Sequence, residues 1–288
     1  MHPLIPWFEP PVLHTPIVPL HGFGLLVALG FVFGGRAAMG RARRIGLDPE
    51  VINRLIGWLV AGVFIGGHVG YGLMYKPDEY LHNPIEFLKV WQGLSSMGGF
   101  LVCVPIAILF FRSEKVRVWP YLDCLAFGLA LGWFFGRMGC FVAHDHPGTE
   151  TNFWLGVYGI CQPDGRKSVA CHDLGLYEAL WSLSMFGLFA LLDRRPWKPG
   201  TFVLTLGLCY GPLRFFMDYF RPEVTDARYG GFTPGQYGAA FFTVVCLVAL
   251  VFRVRSSDEP VGPTRPVHAP TDAEVALGDE SAGAGAAG

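Results

Sequence analysis

The sequence predicts an all-α polytopic membrane protein with seven transmembrane helices, the N-terminus outside and the C-terminus cytoplasmic. Three observations predict it. Of 288 residues, 52% are hydrophobic and only 16% are charged, where a soluble domain carries about a quarter charged; the mean hydropathy is +0.39. Apolar stretches of near-spanning length alternate with short polar loops, and a hydrocarbon core of about 30 Å needs roughly 20 such residues per helix. The loops also alternate in positive charge. A membrane barrel is excluded, because its strands run about 10 residues with in-out alternation. These stretches are longer and apolar on every side, so each must satisfy its own backbone as a helix.

Residues 1–16 form an external N-terminal segment, neutral to acidic in character. It lacks the basic start and small-residue cleavage site of a secretory leader, so the first apolar stretch is expected to be retained. The spans are expected at Ile17–Ala38, Leu55–Tyr75, Leu94–Phe111, Pro120–Phe141, Leu176–Leu192, Thr201–Phe220 and Tyr237–Phe252. The first connecting loop, Met39–Arg54, sets Arg41, Arg43, Arg44 and Arg54 against Asp48 and Glu50. The third sets Arg112, Lys115 and Arg117 against Glu114, and the fifth sets Arg194, Arg195 and Lys198 against Asp193. The intervening loops are negative or neutral, including the long loop 142–175. Positive loops stay in the cytoplasm, which puts loop 142–175 outside. Arg253 and Arg255 close the last span on the inner side. Residues 253–288, rich in Pro, Gly, Ala and acidic residues, are expected to be a disordered cytoplasmic tail. The spans 17–252 make one transmembrane domain. Nothing in the near-neutral balance of charge suggests a nucleic-acid partner; the expected surroundings are membrane lipids.

Ionisable groups inside apolar spans are costly and face a bundle interior, a polar cavity or a partner. His68, Arg137, Glu178, Arg214 and Asp218 are such groups, and Arg36 and Asp123 sit near the inner span ends as boundary residues. Arg137 and Arg214 fall in the outer halves of their helices and Arg221 just beyond, so together they can line a cationic mouth for a lipid phosphate. The guanidinium fork suits phosphate oxygens. The alternatives are snorkelling anchors for the arginines, an ion pair of Glu178 with one of the two deep arginines, a local i,i+4 pair between Arg214 and Asp218, an internal hydrogen bond for His68 and an interfacial place for Tyr71. Gly128, Gly132 and Gly136, spaced by four, fit close helix packing. Gly98 and Gly99 at a helix start present amides that suit an anion. Cys140, His144, His146, Cys161, Cys171 and His172 gather around the external loop. Their spacing matches no recognised metal pattern, so a Cys161–Cys171 disulfide or plain thiols are expected rather than a metal, and no cofactor is expected.

The run Gly136-Arg137-Met138-Gly139-Cys140-Phe141-Val142-Ala143-His144-Asp145-His146-Pro147-Gly148 resembles the signature of the prolipoprotein diacylglyceryl transferase family. Gly66-Gly67-His68-Val69-Gly70-Tyr71, Trp91-Gln92-Gly93-Leu94-Ser95-Ser96-Met97-Gly98-Gly99, Leu176-Tyr177-Glu178-Ala179 and Arg214–Arg221 are similar to its further motifs, in the same order, and Gly235-Gln236 to the start of its last helix. The resemblance covers about residues 15–252. The chain departs from the family pattern in several places. Met97 stands at a histidine position, Cys140 and Ala143 at two asparagines, Asp145 at a glutamate, His68 at an arginine and His21 at a tyrosine.

The resemblance implies an enzyme of the bacterial inner membrane. It would move the diacylglyceryl group of phosphatidylglycerol to the lipobox cysteine thiol of a preprolipoprotein signal peptide, with glycerol phosphate leaving. Arg137 and Arg214 are then the electrostatic clamp on the phosphate. With Met97 unable to act as a base, His21 or His144 is the expected proton acceptor, since imidazole titrates near neutrality. Tyr71, Gly98, Gly99, Asp145, Glu178, Arg221 and Gln236 are expected to line the substrate site. A lipid transferase with another acceptor, or a non-catalytic lipid binder or transporter, is the alternative.

Overall fold

The computed structural model describes residues 2–14, 19–83, 85, 87, 93, 95–161, 168–222, 228–264 and 266. They are mostly helical: α1 (Gly22–Arg44), α2 (Pro49–Tyr75), the short α3 (Pro77–His82), α4 (Ser96–Glu114), α5 (Val118–Ala143), α6 (Leu174–Leu192), α7 (Thr201–Met217) and α8 (Pro234–Arg255). A helix therefore stands at each of the seven expected spans. Among the described residues, α1, α2, α5, α6 and α8 are long and apolar enough to cross a membrane. α7 has 17 helical residues and tightens into a 3-10 turn at Asp218–Phe220. The starts follow helix-capping chemistry: Asp48 accepts from Glu50 N before a proline, and Thr233 forms a reciprocal capping box with Gln236.

The helices are apolar all round and bury little of that surface. In α8 only Gln236, Ala239 and Cys246 are buried. Phe31, Phe64, Leu101, Leu109, Phe241 and Phe252 are among the many exposed large side chains. In water such faces would drive aggregation; on a helix that satisfies its own backbone they are a lipid-facing surface. The chain is a multi-pass membrane protein.

Two compact units make up the fold, one formed by Met1–Leu47 with Leu122–Gly288 and the other by Asp48–Tyr121. In the first, α1 crosses α5 on glycine. A Cβ on Gly30 would lie 2.7 Å from the Gly132 carbonyl, and one on Gly34 would lie 2.8 Å from the Gly128 carbonyl. Gly136, the third residue of that series, meets nothing within 4 Å. Beyond this seam, Ala126, Phe127, Ala130, Met185, Phe189 and Phe202 form an apolar cluster. At the end of the helices holding that cluster, Asp193 binds Arg41 at 2.8 Å and Arg44 at 2.6 Å. Asp123 is buried rather than a boundary group, and caps α7 from α5 by accepting from Gly200 N (2.7 Å) and Val203 N (3.0 Å). Past α8, Val261 pairs with Trp197 through two backbone hydrogen bonds. The expected disorder of the tail falls largely on residues outside those described.

Small strands complete this unit. β1 (Val12–His14) pairs antiparallel with β2 (Pro19–His21), leading into α1. β3 (Pro147–Glu150), β4 (Val157–Tyr158) and β5 (Ala170–Asp173) make a three-stranded sheet in the order β3-β5-β4. A Cys161–Cys171 disulfide ties that sheet to the preceding loop, with Cα atoms 6.0 Å apart.

In the second unit, α4 packs on α2 through Gly98, on which a Cβ would lie 2.7 Å from the Gly70 Cα. His68 is buried there, with Nδ1 3.4 Å from the Gly93 carbonyl and its ring 5.6 Å from that of Tyr80. Arg54 and Glu114 pair at 2.7 Å on the surface of the unit.

Candidate active site

The site grows from the end of α5. Arg137 lies one turn before Cys140, with Nη1 3.9 Å from the Cys140 Sγ and its guanidinium 5.0 Å over the Trp133 ring. The helix stops at Ala143, and His144 takes the left-handed conformation at φ 54°. His144 N bonds to the Phe141 carbonyl and Asp145 N to the Cys140 carbonyl. This is the Schellman pattern of a helix C-terminus, which reverses the chain over the last turn. The reversal brings Asp145 and His146 back over Arg137 and Cys140. His146 Nδ1 is 2.5 Å from Asp145 Oδ1, and its Nε2 is 3.5 Å from Arg137 Nη1.

α6 is held against the same place because Gly175 has no side chain. A Cβ there would sit 2.9 Å from Phe141 N and 3.0 Å from Cys140 Cβ. One turn on, Glu178 is buried and faces α5 and α7. Its Oε2 binds Arg137 Nε at 2.7 Å and accepts from the Tyr210 hydroxyl at 3.2 Å. Its Oε1 is 3.9 Å from Arg214 Nη1. Arg214 also pairs with Asp218 at 2.6 Å, and Arg221 reaches the same Asp218 oxygen at 3.2 Å. Thr233 Oγ1 donates to the other Asp218 oxygen at 2.5 Å, and Gln236 Nε2 donates to the Phe215 carbonyl at 3.2 Å. Two buried carboxylates therefore hold three guanidiniums among the described residues. The carboxylate side chains are 2% exposed, whereas Arg137, Arg214 and Arg221 are 15%, 18% and 22% exposed. Negative charge is enclosed and the net positive charge meets the surroundings, an arrangement suited to an anion.

Arg137, Glu178, Arg214, Arg221, Asp145 and Gln236 thus gather in one unit, Gln236 through the backbone beside Arg214. His144 stands apart from the guanidiniums. Its Nε2 donates to the Phe8 carbonyl at 3.0 Å, its ring tilts on Phe8, and its Nδ1 is buried. His21 is exposed at the start of α1. With Asp145, Ala143 and Phe23 it lines a shallow cavity of ≈ 370 Å³. Tyr71, Gly98 and Gly99 belong to the other unit. Tyr71 packs on Gly93, and the Gly98 and Gly99 amides are engaged by Ser95, through its hydroxyl and its carbonyl.

Two residues of the site carry little signal in the sequence. Tyr210 lies in an apolar run, and His146 stands there only among possible metal ligands, because nothing in the sequence shows the left-handed turn at 144. Cys140, Asp145 and His146 do present ligand atoms within 4.8 Å of one another. Arg137 Nη1 lies 3.9 Å from Cys140 Sγ and 3.5 Å from His146 Nε2, and that fixed positive charge opposes a cation at the same point. Outside the spans, burial lowers the His172 pKa, and its Nδ1 is 2.8 Å from the Tyr177 hydroxyl.

Fold and site define a class: a polytopic membrane protein with a guanidinium-rich polar site set among apolar helices. The chain belongs to the prolipoprotein diacylglyceryl transferase family, whose model matches residues 10–252. It is similar to phosphatidylglycerol–prolipoprotein diacylglyceryl transferases of several bacteria. The Anaplasma marginale (strain Florida) protein is 30% identical over 254 residues, covering 85% of this chain and 88% of that one. The Chromohalobacter salexigens protein is 31% identical over 267 residues, covering 90% and 97%. The Haemophilus influenzae (strain PittEE) protein is 32% identical over 241 residues, covering 81% and 88%.

Proposed function

We propose that this transferase moves the diacylglyceryl group of phosphatidylglycerol to the lipobox cysteine thiol of a preprolipoprotein. Family membership supports the reaction. The observation that carries the site is the convergence of Arg137 and Arg214 on the two oxygens of Glu178. A guanidinium has five N–H donors in a rigid fork, and Glu178 engages only part of each. Donors beyond the carboxylate can grip the lipid phosphate and stabilise charge as the glyceryl carbon–oxygen bond breaks. Asp218 holds Arg214 and Arg221 in register with that grip. The seven-span layout, with loop 142–175 on the outer face of the bacterial inner membrane, is part of the proposal. It puts the site where both the lipid and the anchored acceptor can arrive.

The test is turnover by purified protein in detergent, with phosphatidylglycerol and a lipobox peptide, read by mass as thioether product and by release of glycerol phosphate. Wild type should give both. Arg137→Ala should abolish them while the protein still inserts and purifies from membranes. Lipid binding without turnover by wild type would overturn the reading in favour of a binder, and retained turnover by Arg137→Ala would remove that residue from the clamp.

A further inference from the structure

The acceptor thiol must lose a proton, and a base that takes it has to stand beside the guanidinium clamp. The two histidines that the sequence offers do not meet the clamp. His144 spends Nε2 on a backbone carbonyl and encloses Nδ1. No described residue holds the exposed ring of His21.

We propose that His146, oriented by Asp145, is the general base that accepts the thiol proton. This rests on the transferase reading above. The Asp145 carboxylate accepts from Nδ1, which fixes the tautomer and leaves Nε2 as the accepting nitrogen, engaged only by a long 3.5 Å hydrogen bond from Arg137 Nη1 that an arriving thiol would displace. That nitrogen faces Arg137, so the base and the phosphate clamp share one mouth. The imidazole is 27% exposed, within reach of an arriving peptide. Its placement depends on the left-handed turn at His144 and on Gly148. A Cβ on Gly148 would lie 2.8 Å from the Phe220 carbonyl and 2.9 Å from His172 Cβ, so strand β3 could not lie where it does.

In the step itself, Nε2 takes the S–H proton and sulfur forms a bond to the glyceryl carbon. The carbon–oxygen bond to phosphate breaks, and its electron pair leaves on glycerol phosphate. The imidazolium then returns its proton to the departing phosphate or to water. Among the described residues, Asp145 beside it and Arg137 and Cys140 on α5 face His146, and Asp173 on β5 lies opposite the next residue, Pro147. The Asp145 carboxylate, beside Nδ1, stands against the positive charge that the ring takes on in the step.

The test compares wild type, His146→Gln and Asp145→Asn in the same turnover assay as a function of pH. Loss of a general base should lower kcat/KM of His146→Gln by about 10²–10⁴-fold near neutral pH. Its residual rate should then climb about tenfold per pH unit toward the thiol pKa of about 8.5, because only preformed thiolate reacts. The gap to wild type closes as pH rises. Asp145→Asn should show a smaller loss with the same trend. If His146→Gln turns over with a pH profile parallel to wild type, at whatever level, the residue only positions its neighbours and the proposal fails. Should that variant unfold in detergent, Asp145→Asn carries the decision, and an unchanged profile overturns the assignment. Absence of thioether product from wild type instead sinks the transferase reading itself.

Discussion

Glu178 shows how a single buried carboxylate can organise cations that the chain supplies from different helices. Alone at that depth it would be strongly disfavoured. Arg137 on one oxygen and Arg214 near the other offset that cost and, in return, are held toward one point. That these residues needed partners was readable from the sequence, since charge in an apolar run demands them. The i,i+4 pair of Arg214 with Asp218 was readable too; that Arg137 and Arg214 both meet on one Glu178 was not, because the distance between them depends on how α5, α6 and α7 pack. Asp173, just outside the span of α6, shows a different outcome of burial. It caps the helix by accepting from Leu176 N at 2.8 Å, while its Oδ2 has no partner among the described residues. Burial, with the charge of Asp145 added, pushes its pKa up to about 7. An unfolded aspartate titrates near about 3.9. The folded form therefore holds a proton that the unfolded chain releases, so the stability from this group is fully present below about pH 4 and is lost as pH rises through about 7. Asp173→Asn should flatten the fall in melting temperature over that window in detergent. An equal fall in both proteins would show that other groups are responsible.

At the scale of elements, glycine decides how closely helices approach, and the spacing alone overstates how many glycines take part. Gly30 and Gly34 on α1 face Gly132 and Gly128 on α5 with no room for a methyl group, whereas Gly136 has open space. Gly34→Ala should therefore cost about 1–3 kcal/mol by overpacking. Gly136→Ala should be neutral or stabilising, since alanine is the better helix former. Thermal unfolding of the two variants side by side separates them, and equal losses would mean the seam is not as tight as drawn. Asp123 teaches the same lesson from the polar side. Near an expected span end it reads as a boundary residue, yet it caps α7 from α5. A cap supplied by a distant helix leaves no local pattern, because the donor amides lie far along the chain from the acceptor.

Across the whole molecule, the apolar helices and the alternation of loop charge argue one way. Arg41 and Arg44 count toward an inner loop, and the structure also pairs them with Asp193. The rule counts Lys and Arg rather than net charge, so the pairing does not weaken it. The proposed orientation can be read directly in a background freed of reactive native thiols. With Thr149→Cys, a membrane-impermeant maleimide should label intact spheroplasts. With Lys115→Cys, it should label only after lysis. The reverse pattern would invert the topology and place the site on the wrong face for its acceptor.

The sequence by itself determined that this chain lives in a membrane, where along it the long helices lie, though the limits of α1 and the start of α2 differ by about one and a half turns, and that Arg137 and Arg214 were the groups to explain. It also carried the family, through motifs kept in order along the chain. Those properties rest on composition and local periodicity, which a linear reading captures. Only the tertiary structure decided that both arginines meet on Glu178, that Gly34 matters where Gly136 does not, and that His146 rather than His144 faces the clamp. Each depends on a close approach between segments distant in sequence, or on one backbone turn whose sign no residue type announces.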